Sequence, residues 1–96
     1  MKAWTFELRR TIEGVIVGDR FTATCSECHR KADELATRIG DVECYAYNEP
    51  LRQWQKMGVY RGHYVFTDSF GDDHRIKGDY GGMTAMGKEV SYEPNR

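Results

Sequence analysis

A chain of 96 residues with 40% hydrophobic and 30% charged side chains is long enough for one globular domain and too apolar to be disordered. A formal net charge of −1 excludes both a basic nucleic-acid arm and an acidic nucleic-acid mimic. No apolar run approaches the ~18 residues that a membrane-spanning helix needs.

Residues 3–10 alternate, with Trp4, Phe6 and Leu8 on one side and Thr5, Glu7 and Arg9 on the other. Such a period of two predicts a strand with one wet face. Residues 15–24 read as a second strand, rich in Val, Ile, Phe and Thr and bulged at Gly18-Asp19. Residues 25–39 predict the main helix. Cys28, Ala32, Leu35, Ala36 and Ile39 recur at helical spacing, and charged residues fill the remaining faces. Thr24 and Glu27 have the spacing of a capping box, and Gly40 stands at the C-cap position.

Val42, Cys44 and Ala46 alternate with Glu43, Tyr45 and Tyr47 in a third strand. Asn48-Glu49-Pro50 then predicts the start of a second short helix, 50–57, with Leu51, Trp54 and Met57 inward. Residues 59–67 read as a fourth strand presenting Tyr60, Tyr64 and Phe66 on one face. The Asp- and Gly-rich stretch 68–82 reads as a long loop. Residues 88–93 suit a final edge strand, and 93–96 a frayed tail. The expected fold is one α+β domain over 1–96. It is a curved, mostly antiparallel sheet of four or five strands with the main helix on one face. Strands one and four are the expected sheet edges, a geometry that favours a homodimer.

The N-terminal Met1-Lys2-Ala3-Trp4-Thr5-Phe6-Glu7 becomes charged too soon for a signal peptide. Three cysteines, an odd number, argue for reduced thiols. Both features point to the cytoplasm. Cys25-Ser26-Glu27-Cys28-His29 allows four readings. Cys25 and Cys28 make one ligand pair for zinc, and Cys44 with His63 would supply the second. A Cys-x-x-Cys at a helix start is also a redox geometry, in which the positive helix end favours the Cys25 thiolate. The five residues match the c-type haem attachment motif, without an export signal or a fixed distal ligand. The plainest reading is a helix start, with Cys28 in the core and His29 in water.

Asp68, Asp72, Asp73, His74 and Asp79 supply oxygen ligands for a hard cation, but their spacing is not that of an EF-hand. No Gly-x-Ser-x-Gly, P-loop or His-Glu-x-x-His motif occurs, so the expectation is a protein without enzymatic activity or cofactor. Aromatic residues exceed what one sheet face and one helix face can bury. Tyr45 and Tyr47, with Arg52 and Arg61 near them, form a candidate binding surface. Its composition suits a protein hot spot or stacked single-stranded bases.

The strand-to-helix passage from Phe21 through Thr24, Cys25 and Cys28 to Ala32 resembles a layout common among small phage-encoded accessory proteins. Anti-CRISPR and other anti-defence proteins are similar in build: one α+β domain, no catalytic motif, much aromatic and charged surface. The likeness covers residues 3–47. It implies a protein that occupies a surface on a larger machine, plausibly inhibiting a host defence complex by protein–protein contact. Two alternatives stand beside it: a zinc-stabilised Cys-x-x-Cys domain contacting nucleic acid, and a thiol redox protein.

Overall fold

The computed structural model describes residues 3–10, 15–18 and 20–77, and the backbone of 82–85. Among these residues it is α+β, with one helix and, in place of the four or five strands expected, one antiparallel sheet of seven. In chain order these are β1 (Trp4–Arg10), β2 (Phe21–Ala23), α1 (Cys25–Ile39), β3 (Val42–Asn48), β4 (Gln53–Gly62), β5 (Val65–Asp68), β6 (Asp73–Lys77) and β7 (Gly82–Ala85). The sheet order is β2-β1-β3-β4-β5-β6-β7. From β3 onward the chain simply meanders. α1 carries it from the β2 edge back over the sheet to β3.

The alternation of β1 holds. Phe6 and Leu8 enter the core with Val42, Cys44, Ala46, Tyr60, Phe66 and Ile76. The second strand is shorter than expected. Ile16 bridges to Arg9 and Phe21 pairs with Phe6, so this segment carries more residues than β1 over the same span. The excess is the expected bulge. Gly18 fits there because a Cβ would lie 3.1 Å from the Leu8 side chain.

α1 begins and ends as read. The Thr24 Oγ1 accepts from the Glu27 backbone N–H, and the Glu27 carboxylate accepts from the Thr24 N–H at 2.9 Å. Gly40 closes the helix at φ 96° and ψ −169°, outside the left-handed helical well but still at a positive φ that favours glycine. The buried stripe is Cys28, His29, Ala32, Asp33 and Ala36. Leu35 and Ile39 only flank the core.

Several expectations are corrected. No second helix occupies 50–57. Asn48 Oδ1 accepts from the Leu51 N–H, Arg52 takes φ 53°, and the chain turns straight into β4. Leu51 and Met57 are exposed and Trp54 is half-buried against Tyr47 and Arg20, so the three do not share a buried helix face. The stretch 68–82 is not one long loop, because it contains β6; residues 78–81 lie outside the description. Strands one and four are interior, and the edges are β2 and β7. The expected strand 88–93 and the tail 93–96 fall outside the described residues.

Residues 59–67 form a hairpin rather than one strand. His63 and Tyr64 both take positive φ, at 54° and 69°, as a two-residue turn of right-handed strand twist requires. Side chains from α1 hold this turn. The His63 N–H donates to Thr37 Oγ1 at 2.9 Å, and the Tyr64 N–H donates to Asp33 Oδ1 at 2.8 Å. Helix and hairpin meet backbone to backbone at Gly62, where a Cβ would lie 2.9 Å from Thr37 Cα.

Candidate functional site

One sheet face carries α1 and the other is uncovered among the described residues. Pairing places Glu7 opposite Tyr45, and Tyr45 opposite Lys56. Arg9 lies opposite Glu43, and Tyr47 opposite Trp54. All of these side chains belong to the uncovered face. The chemistry centres on Glu7, which is 0% exposed although it points away from the core. Its cover is two guanidinium groups. Arg9 donates to Oε1 at 2.9 and 2.6 Å, and Arg20 donates to Oε2 at 3.1 and 2.8 Å. Burial works against the carboxylate, but the two arginines outweigh it and hold the Glu7 pKa below its ordinary value.

Each guanidinium also lies over a ring. Arg9 sits 4.0 Å from the Tyr45 centroid and Arg20 sits 4.9 Å from that of Trp54. Trp54 in turn meets Tyr47 edge to face at 5.2 Å. Tyr45 donates to Glu43, which pairs with Lys56 at 3.1 Å. Two cationic side chains are therefore pinned by one carboxylate and stacked on aromatic rings, which fixes rotamers that would otherwise be mobile.

The structure brings Tyr45 and Tyr47 onto this face as expected. Arg61 is the extra residue of a bulge opposite β5, where it bonds Asp41 and Thr67. Arg52 stands apart in the exposed β3–β4 turn. Arg9, Arg20 and Trp54 are the members that sequence reasoning missed. Their signal lies in cross-strand register, which needs β4 to be recognised as a strand.

The other chemically rich region lies between the N-terminal half of α1 and the sheet. A cavity of about 510 Å³ opens there, walled by Phe6, Tyr60 and Phe66 and by all three cysteines. Cys28 and Cys44 are buried, with Sγ atoms 3.8 Å apart, and Cys25 is exposed. The contact with Cys28, reinforced by burial, pushes the Cys44 thiol well above its ordinary pKa. His29, expected in water, is only 8% exposed, and its Nδ1 shares a hydrogen with the Tyr60 hydroxyl. Burial lowers the His29 pKa and raises that of Tyr60, so both are neutral near pH 7.

The proposed zinc set does not assemble. His63 sits on the hairpin turn beside Thr37, away from the three thiols around the cavity. No group of three or more His, Cys, Asp or Glu residues among those described is placed to hold a metal. The thiols brought together are Cys28 and Cys44, not the Cys25–Cys28 pair of the redox reading. Haem attachment would need the Cys28 sulfur, which is 2% exposed in the core. The acidic turn spends its carboxylates internally. Asp68 Oδ1 accepts from the N–H groups of Phe70 and Asp72, and Oδ2 meets His74 Nε2 at 2.7 Å. Asp73 accepts from Thr67, and Asp79 lies outside the described residues.

No protein-family model matches this chain, and no curated protein or solved structure matches it. No helix among the described residues is long and apolar enough to cross a membrane.

Proposed function

We propose that the protein is a non-catalytic binding module whose working surface is the uncovered sheet face built on Tyr45, Tyr47 and Trp54. The observation that carries this reading is the buried carboxylate of Glu7 holding Arg9 and Arg20 against those rings. Tyr, Trp and Arg are the residues that dominate protein-binding hot spots. Rings and guanidiniums held rigid before binding lose little entropy on docking.

Charge favours a protein partner over nucleic acid. Arg9 and Arg20 share Glu7, Lys56 pairs with Glu43, and Arg61 pairs with Asp41. Around Glu7, where the cations are already paired, this face offers little to a phosphate backbone. The build, a small domain with a rigid aromatic surface, suits a phage-encoded inhibitor that acts in the host cytoplasm by covering part of a defence complex.

Tagged wild-type protein should retain one partner complex from extracts of the host. A folded double variant, Tyr45→Ala with Trp54→Ala, should recover at least about tenfold less of it. Phe70→Ala, on the opposite side of the sheet, should recover as much as wild type. Equal recovery by wild type and the double variant would remove the uncovered face as the working surface.

A further inference from the structure

We infer that the cavity beneath the start of α1 is a binding site for a small neutral aromatic molecule with one polar group, recognised by Nε2 of His29. Its volume of about 510 Å³ lies in the range of small-molecule sites and holds one or two rings. The walls are the flat faces of Phe6, Tyr60 and Phe66 together with polarisable sulfur.

His29 supplies the polar anchor. It is 92% buried by its 8% residual exposure, and its one hydrogen bond among the described residues is Nδ1 to the Tyr60 hydroxyl. Among the described residues no fully buried side-chain nitrogen or oxygen lacks a partner, so Nε2 is not fully buried, and His29 lines this cavity. An imidazole edge in an apolar pocket asks for a hydrogen-bonding group on whatever fills it. Tyr60 fixes the ring, since its hydroxyl engages the other nitrogen and the two ring centroids lie 5.9 Å apart, tilted by 56°.

Charge selects a neutral occupant. Among the described residues, no Lys or Arg lines the cavity. The one carboxylate among those residues, Asp68, is satisfied by His74 and by two backbone N–H groups. An anion would find only His74 and a cation only Asp68, and these two are already engaged with each other. Two of the lining residues are large, apolar and exposed: Phe70 at 90% and Met57 at 45%. The Phe70 backbone N–H donates to Asp68 Oδ1 at 2.9 Å, which ties the turn that carries the ring. A large ring held in water beside an aromatic pocket is covered when a ligand enters.

The test uses four para-substituted toluenes of one shape: p-cresol, p-xylene, p-toluate and 4-methylbenzylamine. Amide chemical shifts of the intact protein report where each binds, and the alkylation rate of Cys25 reports whether the cavity is filled. At millimolar concentration p-cresol should saturate, with shifts at Cys25, His29 and Phe66 and slower Cys25 alkylation. p-Xylene should bind about tenfold more weakly for want of the hydroxyl, and the two charged compounds should not bind. His29→Asn should erase the preference for p-cresol over p-xylene. Cys25→Trp, at an exposed position on the cavity wall, should block all binding while leaving the fold intact. The inference fails if the folded wild type binds no neutral member of the series, or if p-cresol shifts map to the uncovered sheet face. It fails equally if Cys25 protection follows protein concentration instead of ligand, which would make a second copy, seated through Phe70, the occupant.

Discussion

Glu7 shows how much of this surface rests on one side chain. A carboxylate that is 0% exposed and bonded by four guanidinium N–H groups cannot be lost without taking from Arg9 and Arg20 the acceptor they share. Glu7→Gln should lower stability by about 1.5–3 kcal/mol in denaturant titration, by the usual worth of hydrogen bonds to charged groups. It should also weaken partner capture, because Arg9 and Arg20 are then free to leave the rings. The pH dependence follows from the direction of the shift. The folded pKa lies below the ordinary 4.5, so the Glu7 contribution is complete above pH ~4.5 and disappears as the pH falls below it.

His29 gives a second acid-sensitive contribution in a different window. Its folded pKa lies below the ordinary 6.5, so the unfolded chain takes up a proton first as the pH drops. Stability should be flat above pH ~6.5 and decline below it, until the lowered folded value is reached. In His29→Asn the melting temperature should lose the part of its pH dependence that begins near pH 6.5. An unchanged profile in that variant would mean that His29 is not buried as described.

At the scale of elements, the hairpin between β4 and β5 is the clearest conflict between local preference and fold. Positive φ at both turn positions suits Asn-Gly, yet the chain places His63 and Tyr64 there. Bonds from Asp33 and Thr37 hold the turn from the helix side. Replacing His63-Tyr64 by Asn-Gly should therefore raise stability by about 1–2 kcal/mol, since both backbone N–H bonds survive and the strain goes. Gly62→Ala should act the other way and cost about 1–3 kcal/mol, because its Cβ meets the helix backbone at 2.9 Å. Thermal unfolding of the two variants against wild type reads both effects.

The same element explains what the sequence hides. α1 is legible because its apolar spacing, capping box and terminal glycine agree. β1 and β3 are legible because each alternates without interruption. β4 breaks its own alternation twice. Gly58 pairs with Cys44 and Lys56 with Tyr45, leaving Met57 unpaired, and Arg61 is extra opposite β5. With that phase lost, the Asn-x-Pro start and the i, i+3 spacing of Leu51, Trp54 and Met57 imitate a helix. β6 is obscured because Ile76 is its one buried residue and the turn before it is acidic. His29 and Asp33 are polar residues on a buried stripe. Only their partners across the sheet, Tyr60 and the Tyr64 N–H, explain why they are there.

For the whole molecule, the sheet divides two kinds of surface. On one side, paired charges and stacked rings make the face that the proposed function assigns to a protein partner. On the other, α1 and the sheet enclose an apolar cavity with exposed Phe70 in its lining. Tyr45 and Tyr47 were legible as members of a surface because strand alternation turns them away from Cys44 and Ala46. The network behind them was not, since it joins residues on four strand segments whose register only the fold reveals. The two faces make separate predictions, so one can fail without the other.

Site-specific photo-crosslinking in host cells separates them most directly. A benzophenone side chain placed at Tyr47 should give a discrete adduct with one partner protein, and the same group at Phe70 should give none. An adduct from position 70 with none from position 47 would contradict the proposed working surface and move it to the cavity side of the sheet.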